Sequence, residues 1–122
     1  PPTAIAWTLA RPDLDHLPGE VLPEGILAAG EIPIVPYARP GTTAMGEALR
    51  PWLPSHRLLL LARHGALAWG ETVEEVVGGL ERVEHLARIL LAAHQLGGAT
   101  PLPLDEVEAL KALRASLGRS LR

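Results

Sequence analysis

Leu58-Leu59-Leu60-Leu61-Ala62-Arg63-His64-Gly65-Ala66-Leu67-Ala68-Trp69-Gly70-Glu71-Thr72-Val73-Glu74-Glu75-Val76 is the passage that decides the fold. From Arg57 to Ala62 the chain is an apolar run without alternation, which fits a strand covered on both faces. Arg63-His64-Gly65 interrupts the run, and Ala66 to Gly70 resumes it. The pattern is that of a hairpin or kinked strand pair with His64 at the turn. Thr72 then begins the clearest element of the chain, a helix reaching about Leu96. Thr72 and Glu75 have the spacing of a capping box. Val73, Val76, Val77, Leu80, Val83, Ala87, Leu90, Leu91 and His94 recur at helical spacing, and Glu74, Glu75, Glu81, Arg82 and Arg88 fall largely on the other face. Gly78 and Gly79 each cost about 1 kcal/mol relative to Ala inside a helix, which points to close packing there. Gly97-Gly98 ends the helix.

Before this passage the chain is more broken. Thr3 to Leu9 reads as a short helix after Pro1-Pro2. Arg11 to Glu20 reads as a loop. Pro23 to Ala29 reads as one or two helical turns stopped by Gly30. Ile32 to Val35 is a short strand with prolines at 33 and 36, hence an edge or irregular strand. After the turn-rich Tyr37 to Thr43, a helix runs from about Ala44 to Leu49 or Leu53, capped by Thr42 or Thr43 and limited by Pro51 and Pro54. Past the long helix, Asp105 starts a last helix to about Leu117. The whole is a mixed α/β pattern with helices on at least one face. It holds no clean βαβ repeat, so a doubly wound parallel sheet is not expected.

Composition narrows the function. The 122 residues suit one domain, 1–122, and 48% are apolar, enough for a core. A net charge of −3 with scattered bases argues against nucleic acid or an anionic membrane as partner. With no cysteine, disulfide frameworks and thiolate metal sites are excluded, and a cytoplasmic location is the expectation. The longest apolar run falls far short of the roughly 20 residues of a membrane span, and no signal peptide is visible. Ten Arg against one Lys, twelve Pro and no Phe suggest a GC-rich coding bias. Proline-rich loops suit a thermophile.

Five histidines could carry chemistry: His16, His56, His64, His85 and His94. None forms a His-x-His or His-Glu-x-x-His pair, and four read as exposed or hydrogen-bonded structural residues. His64 differs, because a buried strand that ends in a turn presents a side chain on a rigid base. Arg39, beside Gly41-Thr42-Thr43, could meet a phosphate or another subunit, or lie in a solvated loop. Glu84 and His85 suit packing or surface roles, and Trp7, Trp52 and Trp69 suit a core or an interface. Arg114, Arg119 and Arg122 make a basic tail whose default is to dangle in solvent.

The segment from Leu58 to Val76 resembles the zinc-histidine segment of the class II aldolase/adducin family, in which an apolar strand ends in His-Gly before a second strand and a long helix. Glu31-Ile-Pro-Ile-Val-Pro-Tyr-Ala-Arg-Pro-Gly-Thr42 resembles the family's Ile-Pro-x-x-Pro-Tyr-x-x-x-Gly-Thr stretch, in the same order and spacing. The resemblance covers about Ile32 to Leu96. It implies a three-layer α/β/α fold round a mostly antiparallel central sheet, with this chain as the C-terminal portion. It also implies a Zn2+ held by three histidines, one of them His64. The other two come from a His-x-His-Pro segment, and Pro1-Pro2-Thr-Ala-Ile-Ala resembles the residues that follow it. The family's catalytic carboxylate and phosphate-binding loops would also lie upstream. Zinc with three protein nitrogens keeps an open position and acts as a Lewis acid while a carbon–carbon bond breaks, and the carboxylate shuttles a proton. The implied activity is fuculose-phosphate-type cleavage of a phosphorylated sugar to dihydroxyacetone phosphate and an aldehyde, in a homotetramer. Two tyrosines of fuculose-phosphate aldolases are replaced here by Glu24 and Leu117, and the only tyrosine is Tyr37. A related dehydratase, epimerase or decarboxylase, or a non-catalytic adducin-like interaction domain, are the alternatives.

Overall fold

A computed structural model describes residues 1–118. Its centre is strand β2 (Leu58–Leu61), which pairs with β1 (Ile34–Val35) on one side and β3 (Gly65–Ala68) on the other. All four leucines of β2 are buried, and the strand pleat sends them alternately to two faces. Leu58 and Leu60 join Ile34 in a cluster with Ala4 of helix α1 (Pro2–Ala10) and Val83, Leu86, Ala87 and Leu90 of helix α3 (Val73–Gln95). Leu59 and Leu61 join Val35 on the opposite face, under Met45, Ala48 and Leu49 of helix α2 (Thr43–Leu49) and the following Trp52 and Leu53. A continuous apolar run is thus what two covered faces require.

The sheet is mixed. β2 and β3 form the expected antiparallel hairpin, with Leu58 opposite Ala68 and Leu61 opposite Gly65. β1 and β2 are parallel, with Val35 opposite Leu61, so α2 is a crossover between them. That β-α-β unit escaped the sequence reading because β1 has only two residues and α2 only seven. As expected, β1 is short and at a sheet edge. Its outer side is held by the Arg11–Glu20 loop, through Leu17 N–H to Ile32 O (3.0 Å) and Ile34 N–H to Asp15 O (2.8 Å).

Several local expectations needed adjustment. Pro23 to Ala29 is helical and stops at Gly30 as expected, with Gly25–Ala29 forming a π-helical turn. Thr42 stands at the N-cap of α2, but its hydroxyl bonds Arg39 O (2.6 Å) and caps nothing. At the start of α3, Thr72 Oγ1 accepts from Glu75 N–H (3.2 Å), while the Glu75 carboxylate reaches Glu71 N–H (3.0 Å), one residue before the usual partner. The buried stripe of α3 is rotated from the expected one. Leu86 is buried, whereas Val73 is 73% exposed and Val77 and Leu91 are also exposed.

The two end helices are anchored by side chains from elsewhere. α1 has no side-chain cap of its own. Glu84 of α3 supplies one, accepting from Thr3 N–H and Ala4 N–H, each at 3.1 Å. Burial pushes the Glu84 carboxyl up, but these donors and Arg88 outweigh it and hold the group below its usual range. Helix α4 (Leu104–Leu117) packs Val107 and Leu110 on Ile26 of the π turn. Arg114, expected in a dangling tail, instead donates to Leu27 O at 2.6 Å and lies against Gly30, whose φ is +71°. Arg119 and Arg122 lie outside the described residues.

Gly78 and Gly79 separate cleanly. A Cβ on Gly79 would stand 2.6 Å from Leu58 Cδ2, whereas one on Gly78 would meet nothing within 4 Å. Gly78→Ala should therefore stabilise the protein by up to about 1 kcal/mol through helix propensity alone. Gly79→Ala should destabilise it, because overpacking of about 1–3 kcal/mol exceeds that gain. Urea unfolding of the two variants checks the contrast; equal effects would contradict it.

Candidate metal-ligand turn

The turn Ala62–His64 joins β2 to β3, and each of its three backbone N–H groups has a different acceptor. Ala62 N–H donates to Val35 O of β1 (3.0 Å), Arg63 N–H to Thr8 Oγ1 of α1 (3.0 Å), and His64 N–H back to Leu61 O (3.1 Å). The turn is thus tied to the neighbouring strand, to a helix and to itself. Arg63 adopts φ +62°, the only described non-glycine residue with positive φ. Such a conformation costs about 1–2 kcal/mol for an L-residue and persists where its surroundings hold it. His64 follows directly, with its side chain exposed.

The second sequence motif meets the first here. β1 and β2 are parallel and Val35 lies opposite Leu61, so Pro36-Tyr37 leaves the sheet at the same end as the His64 turn. The carboxyl end of parallel strands is a common place for ligand sites. Tyr37 is 60% exposed and Arg39 is exposed on the loop that follows.

The other histidines stay apart. His16 Nδ1 lies 2.6 Å from Asp15 Oδ1. His56 sits at 2.8 Å from Ser55 Oγ and packs edge-on to Trp52. His94 packs edge-on to Trp7, and His85 is exposed on α3. The tryptophans serve packing: Trp7 Nε1–H donates to Ala87 O (3.0 Å), and Trp69 donates to His56 O (2.8 Å) with Arg57 over its ring. A cleft of about 540 Å³ between α4 and the body is lined by Ser55, His56, Trp69 and Lys111, and His64 is not part of it. Among the described residues no three His, Cys, Asp or Glu side chains gather closely enough to hold a metal ion. As a donor, His64 fits one corner of a zinc site, since it offers a solvent-facing imidazole on a fixed backbone; one imidazole does not make a site.

Sequence reasoning missed Thr8. Its signal was a lone hydroxyl in the apolar run Ala4 to Leu9, and only the fold reveals that the group faces the turn. Glu84, read as a packing or surface residue, proves to be the cap of α1.

The family model described as Class II Aldolase and Adducin N-terminal domain matches residues 1–91. The chain belongs to the class II aldolase and adducin family. Rhamnulose-1-phosphate aldolase of Listeria monocytogenes (strain EGD-e) is 32% identical over 98 residues, covering 80% of this chain and 33% of that protein. The 3-oxo-tetronate 4-phosphate decarboxylase of Cupriavidus necator is 32% identical over 97 residues, covering 77% of this chain and 44% of that protein. Among solved structures, YgbL of Klebsiella pneumoniae, titled a putative aldolase/epimerase/decarboxylase, superposes with a TM-score of 0.77 at 28% identity, covering 88% of this chain and 52% of its own. An L-fuculose 1-phosphate aldolase gives 0.74 at 25% identity, covering 91% and 50%. The chain therefore spans a third to a half of the length of these members of the class II aldolase and adducin family. No helix among the described residues is long and apolar enough to cross a membrane.

The positive φ at Arg63 gives a direct check on the turn. Arg63→Gly should leave stability unchanged or raise it, since glycine adopts this conformation freely. Arg63→Val should lower it by about 1–2 kcal/mol, a β-branched residue being poorly tolerated there. Equal thermal stability of the two variants would contradict the assigned turn.

Proposed function

We propose that residues 1–122 form the C-terminal portion of a class II aldolase-like domain, a three-layer α/β/α fold round a mostly antiparallel sheet, and that His64 is one ligand of its Zn2+. The reading rests on one observation above the others: an exposed imidazole on a turn whose three N–H groups are all tied down. Helices on both faces of the present sheet support the layered fold. When bound, zinc supplies Lewis-acid polarisation of adjacent carbonyl and hydroxyl oxygens. This chain's own part is to hold one imidazole at a fixed position, and to bring the Tyr37–Thr43 loop to the same end of the sheet. The remaining zinc ligands and the proton-transferring carboxylate belong to sequence outside the 122 residues.

The activity that fits is metal-dependent aldehyde-lyase cleavage of a sugar phosphate, of the fuculose-phosphate type, to dihydroxyacetone phosphate and an aldehyde, in a cytoplasmic homotetramer. A second reading is decarboxylation or epimerisation of a related sugar phosphate. It is favoured by the likeness to 3-oxo-tetronate 4-phosphate decarboxylases and by Glu24 and Leu117, where fuculose-phosphate aldolases carry tyrosine.

The complete gene product should be assayed with fuculose 1-phosphate, rhamnulose 1-phosphate and a 3-oxo-tetronate 4-phosphate, scoring dihydroxyacetone phosphate against carbon dioxide. Release of the triose phosphate favours the first reading, and carbon dioxide the second. In either case His64→Ala should lower turnover by at least about a hundredfold. Full activity in His64→Ala would refute the site.

A further inference from the structure

Thr8 is 4% exposed on the last turn of α1, and its hydroxyl is committed twice. The single O–H donates to Ile5 O at 2.8 Å, so its direction is fixed and a lone pair is left facing outward from the helix. That lone pair accepts the Arg63 N–H at 3.0 Å. This bond ties α1 to the His64 turn, and it falls on the residue whose φ of +62° needs support. The dihedral at Arg63 sets the direction in which the chain leaves for His64. α1 is itself immobilised at its other end, where the Glu84 carboxylate holds Thr3 N–H and Ala4 N–H. Between these two anchors the helix acts as a strut that fixes the turn against the body of the protein.

We propose that Thr8 is a positioning residue for the metal, acting through Arg63 to fix the His64 imidazole. The proposal rests on the reading of His64 as a zinc ligand and adds a residue that touches neither metal nor substrate. Ligand groups held by well-ordered neighbours bind metal more tightly, and loss of such support typically costs about 10- to 100-fold in affinity. Thr8 stands one step further from the metal than a direct partner of the imidazole, so the low end of that range applies.

The test uses the complete gene product with Zn2+ as the probe, and competition with a chromophoric chelator as the readout beside the melting temperature of the metal-free protein. Thr8→Val keeps the shape and removes the hydroxyl; Thr8→Ser keeps the hydroxyl. Thr8→Val should lose about tenfold in zinc affinity, and Thr8→Ser should stay within about twofold of the wild type. If Thr8→Val does not fold, Thr8→Ala carries the same comparison. Wild-type zinc affinity in the hydroxyl-free variant, whatever its melting temperature, overturns the proposal and leaves Thr8 a purely structural residue. An equal loss in Thr8→Ser overturns it too. His64→Ala separates the underlying assumption: if that variant binds zinc like the wild type, the ligand reading of His64 fails first.

Discussion

A strand that carries leucine on both faces must be covered on both faces, and β2 imposes that demand on everything around it. Leu58 and Leu60 need α1 and α3; Leu59 and Leu61 need α2 and the residues after it. Full burial of four such side chains, each worth about 1.5–3 kcal/mol, makes the centre of the sheet the least negotiable part of the molecule. The close approach of Gly79 to Leu58 belongs to the same demand, because α3 comes near enough to β2 there to leave no room for a methyl group. The exposed His64 sits three residues beyond the end of this strand and inherits its rigidity.

Polar contacts then decide what the apolar core leaves open. Hydrophobic burial is non-directional, so it brings α1 to the sheet without setting its position along the sheet. The Glu84 carboxylate does so at one end of the helix, and the Thr8 hydroxyl at the other. The guanidinium of Arg114 plays the corresponding part for α4, meeting the carbonyl of Leu27 in the middle of the π turn. In each case backbone groups of a helix end or a turn are met by a side chain distant in sequence.

This explains which features were legible in the sequence. The unbroken leucine run, His64 in a turn and the long helix could be read directly, because each rests on local pattern: an apolar run, a His-Gly interruption, a 3.6-residue period. The parallel β1–β2 pairing could not, since so short a strand between prolines reveals neither its partner nor its direction. The rotation of the α3 stripe was missed because Val73, Val77 and Leu91 obey helical spacing and yet stay exposed. Thr8 and Glu84 act across 55 and 81 residues, beyond the reach of any local pattern. For the candidate site, the turn that carries His64 was legible. What holds the turn still was not, and no group of metal-binding side chains forms among the described residues.

The central claim is that His64 is one of several zinc ligands on a turn built to hold it still. Elemental analysis of the complete gene product, purified without added metal and set beside His64→Ala, tests it most directly. The account predicts about one zinc per chain in the wild type, as for a three-histidine site, and a near-empty variant. A wild type that takes up no zinc even when metal is supplied would contradict the account and leave His64 a structural turn residue of a non-catalytic domain.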